Sequence, residues 1–307
     1  MAAGATTRTS LADSVPTEFI AEVKLKEQEG DVMRNLVQNV TLPEGEGGNY
    51  EETELTRAIA YALTEGVDMA QAQEITDTPM NITPGEVGAQ VARTDLAAMQ
   101  ISKRANLPRL LGQILGNAII TKQDVDLLSL LSGFSVDLGT AGRSLTSGYI
   151  MAAADAIRAG GQAAAAIVAG TPEPAPKPLY GVFNTNMMNT VKKELSLGLP
   201  QAVTGVQIPG TDYSVEVLKE AAVRRIGGAD IFEDNNMGKD ASDDAVGGVF
   251  SKQALRYVKF GGGPKMEPDR DPSGRMTEMN IVVIYGTGEF KDGWGRKMTF
   301  DAASPTS

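Results

Sequence analysis

The sequence predicts an α+β fold organised around one long helix. Three observations lead to this fold class. Residues 108–132 repeat apolar side chains at helical spacing, residues 134–245 alternate between helix-like and strand-like segments, and residues 246–307 return to strand-like runs. The alternating region indicates a compact α/β subdomain, and the solitary helix can act as a spine on which the other elements pack.

The long helix is the strongest local signal in the chain. Pro108 opens it, because proline is well tolerated in a first helical turn, and Gly133 marks its end. At a rise of 1.5 Å per residue, the segment forms a rod of roughly 37 Å. The residues predicted on its buried side, at three- and four-residue spacing, are Leu111, Ile114, Leu115, Ala118, Val125 and Leu128.

The N-terminal third is poor in large apolar residues. Its first 15 or so residues are polar and small, which is typical of a flexible arm, and a short amphipathic helix is predicted from Pro16. Its apolar face consists of Phe19, Ile20 and Val23. Residues 40–93 contain glycines, prolines and short apolar runs, with strands predicted at 58–63 and 87–91. Such a segment is either disordered or packed on something else.

The middle of the chain carries three helix-capping signals. Asp95 is predicted to cap a helix over 96–104, Thr146 a helix over 147–160, and Asn184 a helix over 185–196. The other predicted elements are an extended loop over 169–178, strands over 179–183, 223–232 and 247–260, and a short helix over 215–223. The prolines of the loop also fit a recognition ligand of the PxxP kind, but a connecting loop is the favoured interpretation.

Composition limits the chemistry that the chain can perform. Its 307 residues are 42% hydrophobic and contain no cysteine and no histidine, which excludes disulfides, thiolate nucleophiles, imidazole bases and the usual zinc site. A net charge of −11 argues against affinity gained by neutralising nucleic-acid phosphates. No apolar run approaches the roughly 18 residues of a membrane span.

The closing segment, IVVIYGTGEFKDGWG, resembles the end of a nucleotide-binding strand. A dinucleotide fingerprint, however, needs a third small residue where this chain has Lys291. It also needs a following helix and a second strand. We interpret the segment as a hairpin in which Asp292 and Gly293 supply the turn and residues 297–300 the returning strand.

Acidic runs are the other candidate sites. Oxygen-rich clusters can hold calcium, but such runs are more often solvated loops, which is the favoured interpretation for residues 230–244. The carboxylates of this run are Asp230, Glu233, Asp234, Asp240, Asp243 and Asp244. Residues 269–274 begin like a calcium loop, yet the twelfth position is Asn280 rather than glutamate. Asp124 and Asp126 are two residues apart and point to different faces of the helix, so they do not form a carboxylate pair. Because none of these candidates forms a convincing site, no catalytic, cofactor-binding or metal-binding residues are predicted.

Several short motifs together resemble the major capsid proteins of tailed bacteriophages, which have the Hong-Kong-ninety-seven fold. Each motif is weak alone, whereas their order and spacing are more specific. They are ALTEGVD at 62–68, ITPGEVG at 82–88, Thr94-Asp95, LLG at 110–112, DVDLL at 124–128, GGVF at 247–250, Ala254-Leu255, YGTGEFKDGWG at 285–295 and DAA at 301–303.

The resemblance implies a division of the chain. Residues 1–35 would be the N-terminal arm and 36–92 an extended loop that reaches over a neighbouring subunit. Residues 93–133 would form the peripheral domain with the spine helix, 134–245 the axial domain, and 246–307 the return strands of the peripheral domain. An extension poor in its own core makes physical sense if a neighbour completes it.

The implied function is that of a structural subunit, not an enzyme, which self-assembles into the icosahedral head around double-stranded phage DNA. The implied partners are the chain itself as hexamers and pentamers, a separate scaffolding protein, a portal and a decoration protein. DNA would be enclosed without specific binding, no membrane is involved, and assembly would occur in the host bacterial cytoplasm. The alternatives are the shell of an encapsulin-type bacterial nanocompartment, and an enzyme or metal-binding protein that uses the acidic loops.

Overall fold

The computed structural model describes two sheets, a separate strand pair and the helices that cover them. The described residues are 5–6, 30–43, 48–55, 58, 62–68, 72–101, 107–160, 173–197, 225–261 and 263–304. The helices are α1 (Met33–Leu36), α2 (Asp95–Ile101), α3 (Leu107–Ser129), α4 (Ser147–Ala159) and α5 (Thr185–Leu197), with 3-10 turns at Leu130–Gly133 and Asp292–Trp294. Within these ranges, no helix is both long and apolar enough to cross a membrane.

The strands are distributed along the described ranges. They are β1 (Ala5–Thr6), β2 (Gln38–Leu42), β3 (Tyr50–Leu55), β4 (Asp77–Ile82), β5 (Gly85–Thr94), β6 (Leu179–Phe183), β7 (Arg225–Ile226), β8 (Ala229–Glu233), β9 (Asp244–Ser251), β10 (Leu255–Phe260), β11 (Lys265–Asp271), β12 (Met276–Glu289) and β13 (Gly295–Asp301). The mixture of separate helices and largely antiparallel sheets confirms the α+β class.

The six-stranded sheet is centred on β12. Its order is β1-β5-β12-β10-β2, and β11 pairs with β12 on the same side as β10. β12 is antiparallel to β5 along ten residue pairs, with Ile281 opposite Ala89. β2 runs parallel to β10, so a segment close to the N-terminus completes one edge of the sheet.

The spine helix α3 lies across one face of this sheet. It has 23 residues and continues into the 3-10 turn, which confirms the predicted helix. Leu111, Leu115 and Leu128 are buried as predicted, whereas the prediction was wrong for Ile114 (43% exposed) and Val125 (39%). The predicted Ala118 is also exposed. The sheet covers only one side of α3, and the predicted apolar stripe was wider than that side. Some of the residues in the stripe therefore face outward.

The five-stranded sheet has the order β13-β9-β6-β8-β7. β6 pairs in parallel with β8 and antiparallel with β9, and α4 packs beside them. The predicted strand over 179–183 is confirmed as β6. The predicted strand over 223–232 is instead two strands, because Gly227 and Gly228 adopt positive φ and form a tight turn between β7 and β8.

Two of the three predicted caps differ in the structure. Asn184 caps α5, since its Oδ1 accepts a hydrogen bond from the Asn186 backbone N–H (3.0 Å). For α2 the cap is Thr94, whose Oγ1 accepts from Ala97 N–H at 3.3 Å, rather than Asp95. Thr146 precedes α4 but makes no side-chain cap bond. Sequence alone does not distinguish two adjacent capping residues such as Thr94 and Asp95.

The predicted strand over 58–63 is also wrong. Ala58, Ala62 and Leu63 lie outside strands, and the extension instead pairs β3 with β4. The predicted strand over 87–91 is confirmed within β5. The predicted helices from Pro16 and over 215–223 lie outside the described residues, as does most of the predicted arm. The division into arm, loop, peripheral and axial domains remains a prediction.

The closing segment is a crossing between sheets, which corrects the predicted hairpin. β12 belongs to the six-stranded sheet, whereas β13 pairs with β9 in the five-stranded sheet. The turn at Asp292–Trp294 exists but redirects the chain instead of reversing it. Gly295 is required at this bend, because a Cβ there would lie 2.0 Å from Cζ of the buried Phe134.

Candidate assembly interface

An extended hairpin stands out as the candidate functional surface. It consists of β3, β4 and the described residues between them, with Tyr50 opposite Ile82 and Leu55 opposite Asp77. Four of its large apolar side chains are between 60% and 68% exposed: Leu55, Leu63, Val67 and Ile75. A single exposed leucine is ordinary, but a group of them on one extension is typical of a surface that another molecule covers.

The base of the hairpin sits in a notch made by two glycines of β12. A Cβ at Gly286 would lie 2.7 Å from Cγ2 of Ile82, and one at Gly288 would lie 2.7 Å from its Cδ1. Residues two apart on a strand face the same side of the sheet, so the two glycines together leave room for the buried Ile82. The Gly-Thr-Gly motif is therefore a packing site rather than a phosphate cradle.

A substitution in this notch is expected to displace the hairpin base. Gly288→Ala should lower the free energy of unfolding by about 1–2 kcal/mol, because the new methyl group meets a side chain that can partly move. Chemical denaturation measures this loss. In the double variant with Ile82→Ala, the combined loss should be smaller than the sum of the two single losses, since the clash is gone. Strictly additive losses would show that the notch does not hold Ile82.

A partly buried ion pair is the second anchor of the hairpin. Arg256 is only 2% exposed, and its Nε and Nη2 donate to the two carboxylate oxygens of Glu52 at 2.8 and 2.9 Å. Its guanidinium also lies 4.3 Å from the ring centroid of Phe290. These bonds from Arg256 hold the pKa of Glu52 below its usual value, against the opposing effect of burial. The bidentate geometry fixes the orientation of β3 on β10.

Lys291 is the third anchor. Its ammonium pairs with Glu54 of β3 and with Glu173 in the loop before β6, and it lies 5.0 Å from the ring centroid of Trp294. Burial lowers the pKa of Lys291, but the two carboxylates outweigh that effect and raise it. Lys291, the residue at which the sequence departs from a dinucleotide fingerprint, thus connects the hairpin, the proline-containing loop and the closing segment.

Tyr285 ties the same segment to the spine helix. Its ring stacks on Tyr257 with centroids 5.6 Å apart, and its hydroxyl donates to Asp126 Oδ2 at 2.6 Å. Burial and the adjacent carboxylate both raise the pKa of Tyr285, so the hydroxyl remains a donor. The YGTGEFKDGWG motif therefore contacts the helix on one face of the sheet and the hairpin on the other.

Asp124 performs a different task, which the sequence did not reveal. Its Oδ1 accepts hydrogen bonds from Val32 and Met33 N–H at 3.1 and 2.9 Å, and its Oδ2 accepts from Asn236 Nδ2 at 2.9 Å. The two carboxylates Asp124 and Asp126 do face different sides of α3, as predicted. The motif spacing gave no signal for this role, because its partners lie about 90 and 112 residues away.

Carboxylates of the acidic run, residues 230–244, stabilise turns and form ion pairs. Asp240 Oδ1 accepts from Ser242 and Asp244 N–H, and Asp244 Oδ1 accepts from Gly142 N–H at 2.7 Å. Glu233 pairs with Lys192, and Asp230 pairs with Arg225. In the 269–274 loop, Asp271 Oδ1 accepts from Ser273 and Gly274 and holds the turn between β11 and β12. Among the described residues, no group of three carboxylates is arranged to hold a metal ion.

Comparisons with known proteins agree with this architecture. No family model and no curated protein sequence matches the chain. Solved structures do match along nearly its whole length. The capsid structure of the cyanophage P-SCSP1u is 13% identical with a TM-score of 0.68, and the match covers 95% of each chain.

Two further structures show the same likeness. The head structure of Helicobacter pylori bacteriophage KHP40 has a TM-score of 0.69 at 9% identity, covering 94% of this chain and 97% of that one. The structure from Mycobacterium phage Che8 has a TM-score of 0.62 at 18% identity, covering 94% and 98%. At these identities the likeness concerns the fold, and it confirms the expectation from the motifs: the chain has the Hong-Kong-ninety-seven fold of tailed-phage capsid proteins.

Proposed function

We propose that the chain is a major capsid protein, the structural subunit of an icosahedral head that encloses double-stranded phage DNA. The observation that carries this proposal is the extended hairpin, which is fixed at its base by three anchors and exposes apolar side chains beyond them. The likeness to phage capsids along about 95% of the chain supports the same conclusion.

Physical reasoning connects the hairpin to self-assembly. Burying one leucine or isoleucine side chain is worth about 1.5–3 kcal/mol, and this chain leaves several of them in water. A second copy that covers them would supply this free energy at every contact. Contacts repeated around closed rings of hexamers and pentamers then add up to a stable shell, although each one is modest.

The proposed role is structural rather than catalytic, and it fits the charge of the chain. A net charge of −11 suits a container, because a surface that adhered tightly to DNA would hinder packaging and release. The remaining parts of the proposal are the arm (1–35), the extended loop (36–92), the peripheral domain (93–133 and 246–307) and the axial domain (134–245).

The proposed location is the virion capsid, with assembly in the host bacterial cytoplasm. Besides its own copies, the proposed partners are a separate scaffolding protein, a portal and a decoration protein. An encapsulin-type nanocompartment would share the fold, but the phage and GTA particle capsids among the structural neighbours favour the viral function.

Electron microscopy of the purified protein, combined with a nuclease-protection assay on native particles, tests the proposal. We expect closed polyhedral shells in the microscope and protected double-stranded DNA in the native particles. Shells filled with a cargo protein in place of DNA would transfer the function to a nanocompartment. A subunit that never assembles, even with its scaffold supplied, would contradict both functions.

A further inference from the structure

Within the described residues, the chain crosses between the two sheets at a small junction, which we define as residues 133–135, 252–254 and 290–294. The spine helix ends there, and residues 136–138 then pair with β13 through Lys297. The chain also passes from β9 to β10 and from β12 to β13 at this point. Phe290 N–H donates to Ala254 C=O at 2.7 Å, which joins two of the three crossings.

The third crossing is held by Asp292. Its Oδ1 accepts from the Ser135 backbone N–H at 2.7 Å, and its Oδ2 accepts from the Ser135 hydroxyl at 2.5 Å. Ser135 follows the spine helix by only a few residues, so these two bonds fix the end of that helix to the closing segment. Both oxygens of Asp292 are therefore acceptors, as expected of an ionised carboxylate.

Glu289 places a second carboxyl group against the first. It is the last residue of β12, and its carboxyl group lies at the same end of the spine helix as that of Asp292, beside Gly133 where Asp292 binds Ser135. Its Oε2 lies 3.2 Å from the position that a Cβ on Gly133 would occupy, so the group is wedged beside the end of the spine helix. Two carboxyl groups can share a hydrogen bond only if one of them carries a proton.

We propose that Glu289 and Asp292 form a proton-operated latch at the junction, in which protonated Glu289 donates to Asp292 and loss of that proton loosens the end of the spine helix. When Glu289 loses its proton, the hydrogen bond to Asp292 is lost and two negatively charged carboxylates face each other. The repulsion acts on Asp292, the residue that holds Ser135. The latch thus couples the protonation of one side chain to the connection between the two sheets.

The charges around the latch determine its pH range. Burial raises the pKa of Glu289 to about 7, and the neighbouring Asp292 adds to that increase. Burial also acts to raise the pKa of Asp292, but the bonds from Ser135 and Glu289 and the attraction of Arg296 outweigh it and lower the value. In the described part of the chain, the charged groups that act on the pair are thus its own two members and Arg296.

The direction of the pH effect follows from linkage. Because the folded state holds the Glu289 proton more tightly than the unfolded chain does, the stabilisation is complete below the usual glutamate pKa of 4.5. It is lost as the pH rises from there through about 7. Acid therefore closes the latch, and mildly alkaline solution opens it.

Amide hydrogen exchange on the full-length chain tests the latch. Between pH 5.5 and 8, and after correction for intrinsic rates, peptides that cover 133–135 and 289–294 should lose roughly tenfold or more of their protection. Glu289→Gln keeps the size of the side chain and donates an N–H at every pH, so this variant should retain its protection throughout. Glu278→Gln, which removes the same charge near the other end of the same strand, should behave like the wild type.

The outcomes are distinct. A Glu289→Gln variant with the same pH-dependent loss of protection as the wild type would overturn the latch, as would a wild-type junction whose protection does not change with pH. If Glu289→Gln failed to fold, the wild-type titration would still decide. A transition centred near pH 7 and confined to the junction would support the latch, and a loss spread evenly along the chain would refute it.

Discussion

A subunit in which serine replaces Leu63 and Ile75 is expected to fold normally and to form no shells. Both side chains are at least 60% exposed in the single chain, so their removal should change the free energy of unfolding by no more than about 0.5 kcal/mol. In the proposed shell they are buried against a second copy. Losing two such contacts should weaken each interface roughly 100-fold or more, which is enough to prevent closure of a particle.

Light scattering and electron microscopy measure assembly, and circular dichroism measures the fold. Glu65→Gln is the matched control, because Glu65 is exposed on the same hairpin but contributes no apolar surface. This variant should assemble like the wild type. Normal shells from the double serine variant would mean that the apolar residues of the hairpin are not covered by a neighbour.

The largest effect on stability is expected from Arg256→Met. The substitution keeps the length of the side chain but leaves the partly buried Glu52 carboxylate without its bidentate partner and removes the cation from the Phe290 ring. Losing the bidentate bonds and the cation over the ring costs about 2–3 kcal/mol, because the Glu52 side chain is 28% exposed and its charge stays partly hydrated. Urea denaturation should show this loss as a lower midpoint with an unchanged slope.

A second substitution separates the charge effect from packing. In Arg256→Met with Glu52→Gln, no unpaired charge remains, and the amide oxygen can still accept from the Tyr50 hydroxyl that now donates to Glu52 at 2.9 Å. The double variant should recover a substantial part of the lost stability. Arg256→Lys should lie between wild type and Arg256→Met, because an ammonium cannot reproduce the forked geometry. A double variant as unstable as Arg256→Met would contradict this account.

Local sequence patterns predicted the elements whose stability is local. The spine helix, strand β6 and the Asn184 cap were confirmed, because helical periodicity, a bounded apolar run and a capping side chain each act within a few residues. The order of the short motifs also led to the correct fold. That inference depended on the resemblance, since no single motif is specific.

The errors concern elements that distant residues define. The sequence YEETEL of β3 is polar and does not indicate a strand, yet it pairs with β4. Its Glu52 and Glu54 bind Arg256 and Lys291, which lie 204 and 237 residues away in the sequence. For the same reason, the closing segment resembled a hairpin. Whether two neighbouring strands pair with each other or join different sheets depends on β9, which is not visible in the local pattern.

The same applies to the candidate interface. Gly286 and Gly288 form a motif that is visible in the sequence, but their role depends on Ile82, which precedes them by some 200 residues. Asp124 and Asp126 are likewise visible in the sequence as a pair, whereas their partners are not. Residue type indicated that these positions were unusual, and only the arrangement of the chain showed what each one contacts.

The position of β12 has a consequence for synthesis of the chain. This strand is central in the six-stranded sheet, and together with the segment that follows it provides the notch, the Lys291 anchor and the crossing to β13. Among the described strands, β12 and β13 are the last to leave the ribosome. A chain interrupted before residue 276 therefore lacks the seat for its own hairpin and the edge of its second sheet. In the proposed shell, such fragments should be unable to join neighbouring subunits, so the order of translation would itself exclude incomplete subunits.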